Sequence, residues 1–282
     1  MQASLKDQTV LISGATSGIG RITAQKLAGM GAHVVIIGRN PARAAETVAE
    51  IRRATGNPQV ESLVGDLSSL TEVRRLAGEF RQRYNRLNVL INNAGAIFFR
   101  YRLTPEGFEN TLALNHLSNF LLTNLLLDLI IASAPARIIN VSSVAHYAAL
   151  LNPDALLEGR YARGFFAYGQ TKLMNILFAR ELARRLPQGV TANSLHPGLV
   201  ATNFGRSNGG IFRRMWDLLE LGAVTPEDGA RTSVYLASSP EVASLTGEYF
   251  VRCKPVRASI ASCDQDLASR LWEVSEKLTG LG

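Results

Sequence analysis

Short apolar runs alternate with longer stretches of helical period along nearly the whole chain. The runs at 9–13, 33–38, 59–65, 88–92, 137–142, 190–196 and 248–251 read as strands. Several of them, Val34-Val35-Ile36-Ile37 and Val89-Leu90-Ile91 among them, are apolar without interruption. Strands with one wet face alternate apolar and polar residues, so uninterrupted runs point to parallel strands buried on both faces. Segments 18–30, 41–55, 70–84, 105–131, 165–186 and 226–237 carry apolar residues at helical intervals. This alternation predicts an α/β fold: a Rossmann-type, doubly wound, seven-stranded and mainly parallel sheet with helices on both faces. No repeat, low-complexity tract or linker divides the chain, and a single domain over 1–282 is expected.

Two segments break the rhythm, and both follow strand ends, where open α/β sheets bind ligands. Segment 145–163 has little periodicity. Segment 202–222 carries Gly205, Gly209 and Gly210 before an amphipathic piece running from Ile211 through Phe212, Arg213, Arg214, Met215 and Trp216. It reads as a substrate lid, with a subunit interface or a peripheral membrane contact as the competing readings.

The first strand runs directly into Gly14-Ala15-Thr16-Ser17-Gly18-Ile19-Gly20, which opens the first helical segment. Glycines there allow a tight turn and let backbone N–H groups approach a pyrophosphate at a helix N-terminus. After the second strand, an NAD-selective site needs an acid for the ribose hydroxyls. This chain instead offers Gly38-Arg39-Asn40, with the next acid at Glu46. Arg39 can meet a 2′-phosphate through a charge-assisted pair, which favours NADP(H); an ordinary exposed arginine is the competing reading. Asp66, after the third strand, can accept a hydrogen bond from the adenine amino group, and Asn92-Asn93-Ala94-Gly95 closes the fourth strand.

Charge changes this picture little. The formal net charge is +7, from 30 basic and 23 acidic residues, but the basic residues are dispersed. A nucleic-acid footprint needs them clustered on one surface, so no nucleic-acid partner is expected. Cys253 and Cys263 are the only cysteines and form no disulfide framework. No signal peptide is predicted at the N-terminus, and the most apolar stretch, 120–132, is interrupted by Thr123, Asn124 and Asp128. A soluble, cytoplasmic protein is expected. His33, His116, His146 and His196 are too scattered for a metal site and read as structural; His146, three residues after Ser143, is the one expected to face the pocket.

Of seven tyrosines only Tyr168 has a lysine four residues later, at a spacing that puts both side chains on one helix face. It follows Asn140-Val141-Ser142-Ser143, a strand end able to aim a hydroxyl at the same space. With Gly14-x-x-x-Gly18-x-Gly20, Asp66, Asn92-Asn93-Ala94-Gly95, Asn115, Ser143, Tyr168-x-x-x-Lys172 and Pro197-Gly198 in order, the chain resembles the short-chain dehydrogenase/reductase family over nearly its whole length. It is most similar to the retinol-dehydrogenase-like branch, on Gly107-Phe108-Glu109, Leu114-Asn115-His116-Leu117, Val141 through His146, the long interval between Ser143 and Tyr168, and Arg270 through Ser275. Ser13 stands where the family usually has threonine, which keeps the hydroxyl.

The resemblance implies an oxidoreductase with Tyr168 as general acid and base, and with Ser143 orienting the substrate oxygen. Lys172 would lower the phenol pKa and bind the nicotinamide ribose, and Asn115 would complete a water relay, a buried structural amide being its alternative. It further implies that Thr16, Ser17, Ile19, Leu67, Asn93, Ala94, Gly95, Pro197, Gly198, Val200 and Thr202 join the glycines, Arg39 and Asp66 around NADP(H). Relatives pair through helices 105–131 and 165–186, so a homodimer or homotetramer is expected. Phe98, Phe99, Phe204, Ile211, Phe212, Met215 and Trp216 suggest an apolar aldehyde, ketone or alcohol as the small-molecule substrate. A catalytically idle NADP-binding redox sensor remains the alternative, as does an epimerase or dehydratase; the latter normally carries a longer substrate domain.

Overall fold

Uninterrupted apolar strands are stable only when helices cover the sheet on both sides, and the chain is built that way. The computed structural model describes residues 4–198 and 225–282. Its strands are β1 (Thr9–Ser13), β2 (His33–Gly38), β3 (Val60–Val64), β4 (Val89–Asn92), β5 (Ala136–Val141), β6 (Val190–His196), β7 (Tyr249–Val251) and β8 (Lys254–Pro255). They form one sheet in the order β3-β2-β1-β4-β5-β6-β7-β8. All neighbours are parallel except β7 and β8. The order reverses between β1 and β4, which opens the ligand crevice of a doubly wound fold at their carboxyl ends.

Successive strand residues feed opposite faces. Leu11, Val35, Ile37, Leu90 and Ile138 join one core. It is completed by α3 (Leu70–Arg83), α5 (Ser118–Leu125), α8 (Gly164–Arg185) and α10 (Gln265–Thr279) through Phe80, Phe120, Phe178 and Trp272. Val10, Ile12, Val34, Ile36 and Ile139 join the other, under α1 (Gly18–Gly29), α2 (Pro41–Thr55) and α9 (Pro226–Ser238). The seven expected strands are all present, within a residue or two of their expected ends.

Four features depart from the expected pattern, one of them helix α10, where no element was expected. The sheet has an eighth strand, reached through a tight turn in which Arg252 and Cys253 both adopt positive φ, 50° and 62°. Such turns usually carry Asn-Gly or Asp-Gly, so Arg-Cys gives no signal. The helix expected over 105–131 begins late, because Gly107 (φ 87°) turns the chain and Leu103 bridges Glu109. The Glu109 carboxylate then caps α4 (Asn110–Leu112) by accepting from the Thr111 and Leu112 amides. The helix widens to a π turn over Ala113–Leu117, breaks after α5, and resumes as α6 (Leu127–Ala132). Segment 145–163, which looked aperiodic, holds a 3₁₀ turn at Val144–Ala148 and α7 (Pro153–Leu157).

The final helix, α10, is capped by Asp264, whose carboxylate accepts from the Leu267 amide, and it ends at left-handed Gly280. Its Trp272 packs on Phe120 and Phe178 at ring distances of 5.0 and 5.8 Å and lies under the Arg185 guanidinium at 4.2 Å. Trp272, Phe120 and Phe178 are all buried in the same core. Cys253 and Cys263 are free thiols, and no described helix is long and apolar enough to cross a membrane.

Candidate active site

The crevice between β1 and β4 is held together by a serine. Ser13 Oγ accepts from the Asn93 and Ala94 amides, both at 2.9 Å, which ties the ends of the two strands. Asn93 Nδ2 donates to the carbonyls of Ser13 and Gly14, drawing the glycine loop onto the same junction. Gly14 sits at φ 65°, and a Cβ there would come within 2.8 Å of Ala94 Cα. A Cβ on Gly20 would meet Asn93 Nδ2 at 2.5 Å. The two glycines thus serve strand packing as well as close approach of a ligand. Gly18, at φ 52°, opens α1, whose N-terminus has no side-chain cap and no acid in its first turn. Its unmet N–H groups suit a pyrophosphate, and Thr16, Ser17 and Ile19 lie along that loop.

The adenosine end is equally legible. Gly38, at the end of β2, packs so tightly on Thr16 that a Cβ would overlap its methyl. Arg39 therefore stands directly beside the glycine loop, exposed, with no hydrogen-bonding or ion-pair partner among the described residues. Asp66 is also exposed, but one oxygen is engaged: Oδ1 accepts from the Ser68 amide at 2.9 Å and its hydroxyl at 2.8 Å. Leu67 beside it is buried.

Ser143, Tyr168, Lys172 and Asn115 gather at the carboxyl end of β5. Ser143 caps the 3₁₀ turn, its Oγ accepting from the Ala145 amide at 3.3 Å, and its hydroxyl interacts with the Tyr168 phenol so as to lower the phenol's pKa. Lys172 is buried one helical turn on; its Nζ donates to the Val141 carbonyl at 3.0 Å and lies 5.4 Å from the Tyr168 ring centroid. Burial pushes the Tyr168 phenol up to about 12, opposed by the Ser143 hydrogen bond. Burial also pushes the Lys172 amine down to about 8. Desolvation thus dominates the phenol's pKa, with the Ser143 hydroxyl working against it. The phenol therefore keeps its proton near neutrality.

The Asn115 side chain is used as a clamp. Its Oδ1 accepts from the Ala96 amide and its Nδ2 donates to the Ala96 carbonyl, both at 2.9 Å, and Nδ2 also reaches Thr171 Oγ1 at 3.1 Å. Gly95 lies just above: a Cβ there would come 3.2 Å from Lys172 Nζ and 3.3 Å from Asn115 Oδ1. Its main-chain carbonyl accepts from Asn119 Nδ2 at 2.7 Å. Thr171 had no sequence signal; it bonds Asn115 and the Tyr168 carbonyl across the helix surface.

Pro197 and left-handed Gly198 (φ 96°) end β6 at the same edge. Val200, Thr202 and the candidate lid over 202–222 lie outside the described residues. His146 does not offer a free nitrogen to the pocket: both ring nitrogens are engaged by backbone. Among the described residues no three His, Cys, Asp or Glu side chains gather as metal ligands.

A phosphate-cradling loop and a Ser–Tyr–Lys constellation on one edge of a doubly wound sheet together define a nicotinamide-dependent oxidoreductase. Residues 8–209 match the family model described as short chain dehydrogenase, and the chain belongs to that family. Human retinol dehydrogenase 14 is 44% identical over 291 residues, spanning 97% of this chain and 87% of that protein. Among solved structures, an uncharacterized protein from Mycobacterium Paratuberculosis superposes with a TM-score of 0.78 at 32% identity, covering 99% of this chain and 96% of that one. The Pseudomonas aeruginosa RhlG/NADP active-site complex superposes with a TM-score of 0.70 at 28% identity, covering 94% and 98%.

Proposed function

We propose that the protein is an NADP(H)-dependent oxidoreductase acting on the carbonyl or alcohol carbon of an apolar aldehyde, ketone or alcohol, with Tyr168 as general acid and base. The observation that carries this reading is the gathering of Ser143, a Tyr168 phenol that burial keeps protonated, and buried Lys172, whose Nζ lies 5.4 Å from the Tyr168 ring centroid. The cofactor, when bound, supplies or accepts the hydride. In the reductive direction the Ser143 hydroxyl orients the substrate oxygen and stabilises the charge growing on it. The Tyr168 phenol gives its proton to that oxygen, and the resulting phenolate is stabilised by the Lys172 ammonium until solvent restores the proton. Gly14, Gly18, Gly20, Thr16, Ser17 and Ile19 would cradle the pyrophosphate. Arg39 would meet the 2′-phosphate, Asp66 and Leu67 the adenine, and Asn93, Ala94, Gly95, Pro197, Gly198, Val200 and Thr202 the nicotinamide half.

The half-buried Phe98 and Phe99, after the β4 motif, support an apolar substrate, as does the similarity to retinol dehydrogenases. The reading includes a cytoplasmic location and self-association, tested by fractionation and by light scattering of the purified chain. Its central test is Tyr168→Phe assayed for NADPH consumption with a panel of aldehydes and ketones. Turnover should fall by about a hundredfold or more with NADPH binding intact. A variant keeping over about a tenth of the original kcat defeats the acid–base role. NADPH binding without turnover in the unmodified chain would instead favour the idle redox sensor.

A further inference from the structure

We propose that His146 is a positioning residue: as the neutral Nδ1–H tautomer it ties the Ser143 carbonyl to the Ser259 amide, and so holds the Ser143 hydroxyl against the Tyr168 phenol. The proposal rests on the reading of Ser143 and Tyr168 as a catalytic pair.

The tautomer follows from the partners. His146 Nδ1 lies 2.6 Å from the Ser143 carbonyl oxygen, which can only accept, so Nδ1 carries the proton. Nε2 lies 3.1 Å from the Ser259 amide nitrogen, which can only donate, so Nε2 presents its lone pair. The ring is fully buried, stacked on Tyr147 at 4.1 Å and edge-on to Tyr249 at 5.0 Å. Its orientation is therefore fixed by packing as well as by hydrogen bonds.

These contacts close a circuit around the site. Ser259 caps a short 3₁₀ turn, Ile260–Cys263, where the Ser262 hydroxyl donates to the Ser259 carbonyl at 2.6 Å. The Ser262 carbonyl accepts from Arg180 Nη1 at 2.8 Å, and Arg180 stands on α8, the helix that carries Tyr168. The path runs from Ser143 through His146, the Ser259 turn and Arg180 back along α8 to Tyr168, and the interaction of the Ser143 hydroxyl with the Tyr168 phenol completes it. Near its middle the Ser143 turn rests on α8 at Gly169, where a Cβ would approach the Ala145 carbonyl to 3.0 Å. A five-residue 3₁₀ turn is intrinsically weak and needs such external ties. Reacting groups misplaced by about 1 Å lose about a hundredfold in rate.

The circuit depends on the neutral ring. A proton on Nε2 would set one N–H against another at Ser259 and open the tie. The groups that face the ring are Arg180 on α8, His196 on β6, Tyr249 on β7 and Tyr147 beside it, while Arg257 and Cys263 flank the Ser259 turn. Burial, with the nearby Arg180 charge, holds the His146 pKa below its ordinary value. The tie should therefore open only at a lower pH than that at which a free histidine protonates.

The test combines a spectroscopic and a kinetic arm on the full chain. Two-bond ¹H–¹⁵N spectra of the four histidines, with His146 assigned by its loss in His146→Phe, should show the Nδ1–H pattern at neutral pH and protonation only below the pH at which a free histidine titrates. An Nε2–H tautomer, or a cation at neutral pH, overturns the proposal. In the kinetic arm, His146→Phe keeps the ring stacking but loses both hydrogen bonds. Its kcat should fall roughly ten- to a hundredfold, with NADPH affinity within about twofold. His146→Asn, which restores the donor to Ser143, should recover part of the loss and serves if the phenylalanine variant fails to fold. A folded His146→Phe with a lower melting temperature but unchanged kcat overturns the proposal, since a merely structural histidine would give that result. Turnover with the wrong tautomer defeats the circuit alone. The right tautomer without turnover in the unmodified chain defeats the oxidoreductase reading, and the catalytic meaning of the circuit with it.

Discussion

Replacing Lys172 by methionine keeps the length of the side chain and deletes its charge, so it isolates the electrostatic part of the lysine's role. Nζ lies 5.4 Å from the Tyr168 ring centroid. Two unit charges at that separation interact by about 3 kcal/mol at an effective dielectric constant of about 20, equivalent to about 2 pKa units. Burial already pushes the phenol up to about 12, so forming the phenolate without the cation is harder still. Folding should be little affected, because the Val141 carbonyl that loses Nζ still accepts from Asn175 Nδ2 at 3.2 Å. The assay is kcat for alcohol oxidation at saturating NADP+, followed from about pH 5 to about pH 8, where Lys172 carries its charge, in both proteins. The rising limb, which reports formation of the phenolate, should move upward by about 2 pH units, and the rate on that limb should fall about a hundredfold. A limb at the same pH in both proteins would refute the reasoning and leave Lys172 only a cofactor-binding role.

Further outcomes are expected at other positions. Arg39→Ala should cost roughly 1.5–3 kcal/mol, about ten- to a hundredfold in NADPH affinity by titration, with little change for NADH. Across straight-chain aldehydes of increasing length, kcat/KM should rise, each buried methylene adding up to about 0.8 kcal/mol; a flat or falling series would contradict an apolar pocket. Burial pushes both His116 and His196 down to about 4. The unfolded chain therefore takes up protons first, and stability is full above the ordinary histidine pKa and falls as pH drops from there toward 4. Each of the two contributes up to about 3 kcal/mol to that loss, measurable as a shift of the urea midpoint. Trp272→Ala should destabilise by about 3–5 kcal/mol in urea unfolding, since the indole fills the space between Phe120, Phe178 and Arg185.

Much of this molecule is written locally. The strands of the parallel sheet are legible because burial on both faces forces unbroken Val, Ile and Leu runs, as at Val34 to Ile37. The glycine loop is legible because Gly14 and Gly18 occupy left-handed backbone that side chains avoid. Tyr168 and Lys172 are legible because one helical turn puts both on one face. The C-terminal helix was equally available, from Asp264 at its start, Leu267, Leu271, Val274 and Leu278 at helical spacing, and Gly280 at its end. It was missed among the expected elements although its signals are present.

What the sequence does not carry is everything decided by contacts between distant segments. The antiparallel β8 depends on a turn built from Arg252 and Cys253, residues without turn character, and is stabilised by pairing with β7. The late start of the helix after Gly107 depends on a bridge between Leu103 and Glu109, and the role of the Asn115 side chain depends on Ala96 meeting it from another loop. Burial decided the chemistry as well. The residue types fix that a phenol and an amine are neighbours, but only the water excluded around them makes the phenol hold its proton and the amine surrender some of its own. His146 shows the same division: its identity supplies two nitrogens, and Ser259, 113 residues along the chain, determines which of them bears the hydrogen.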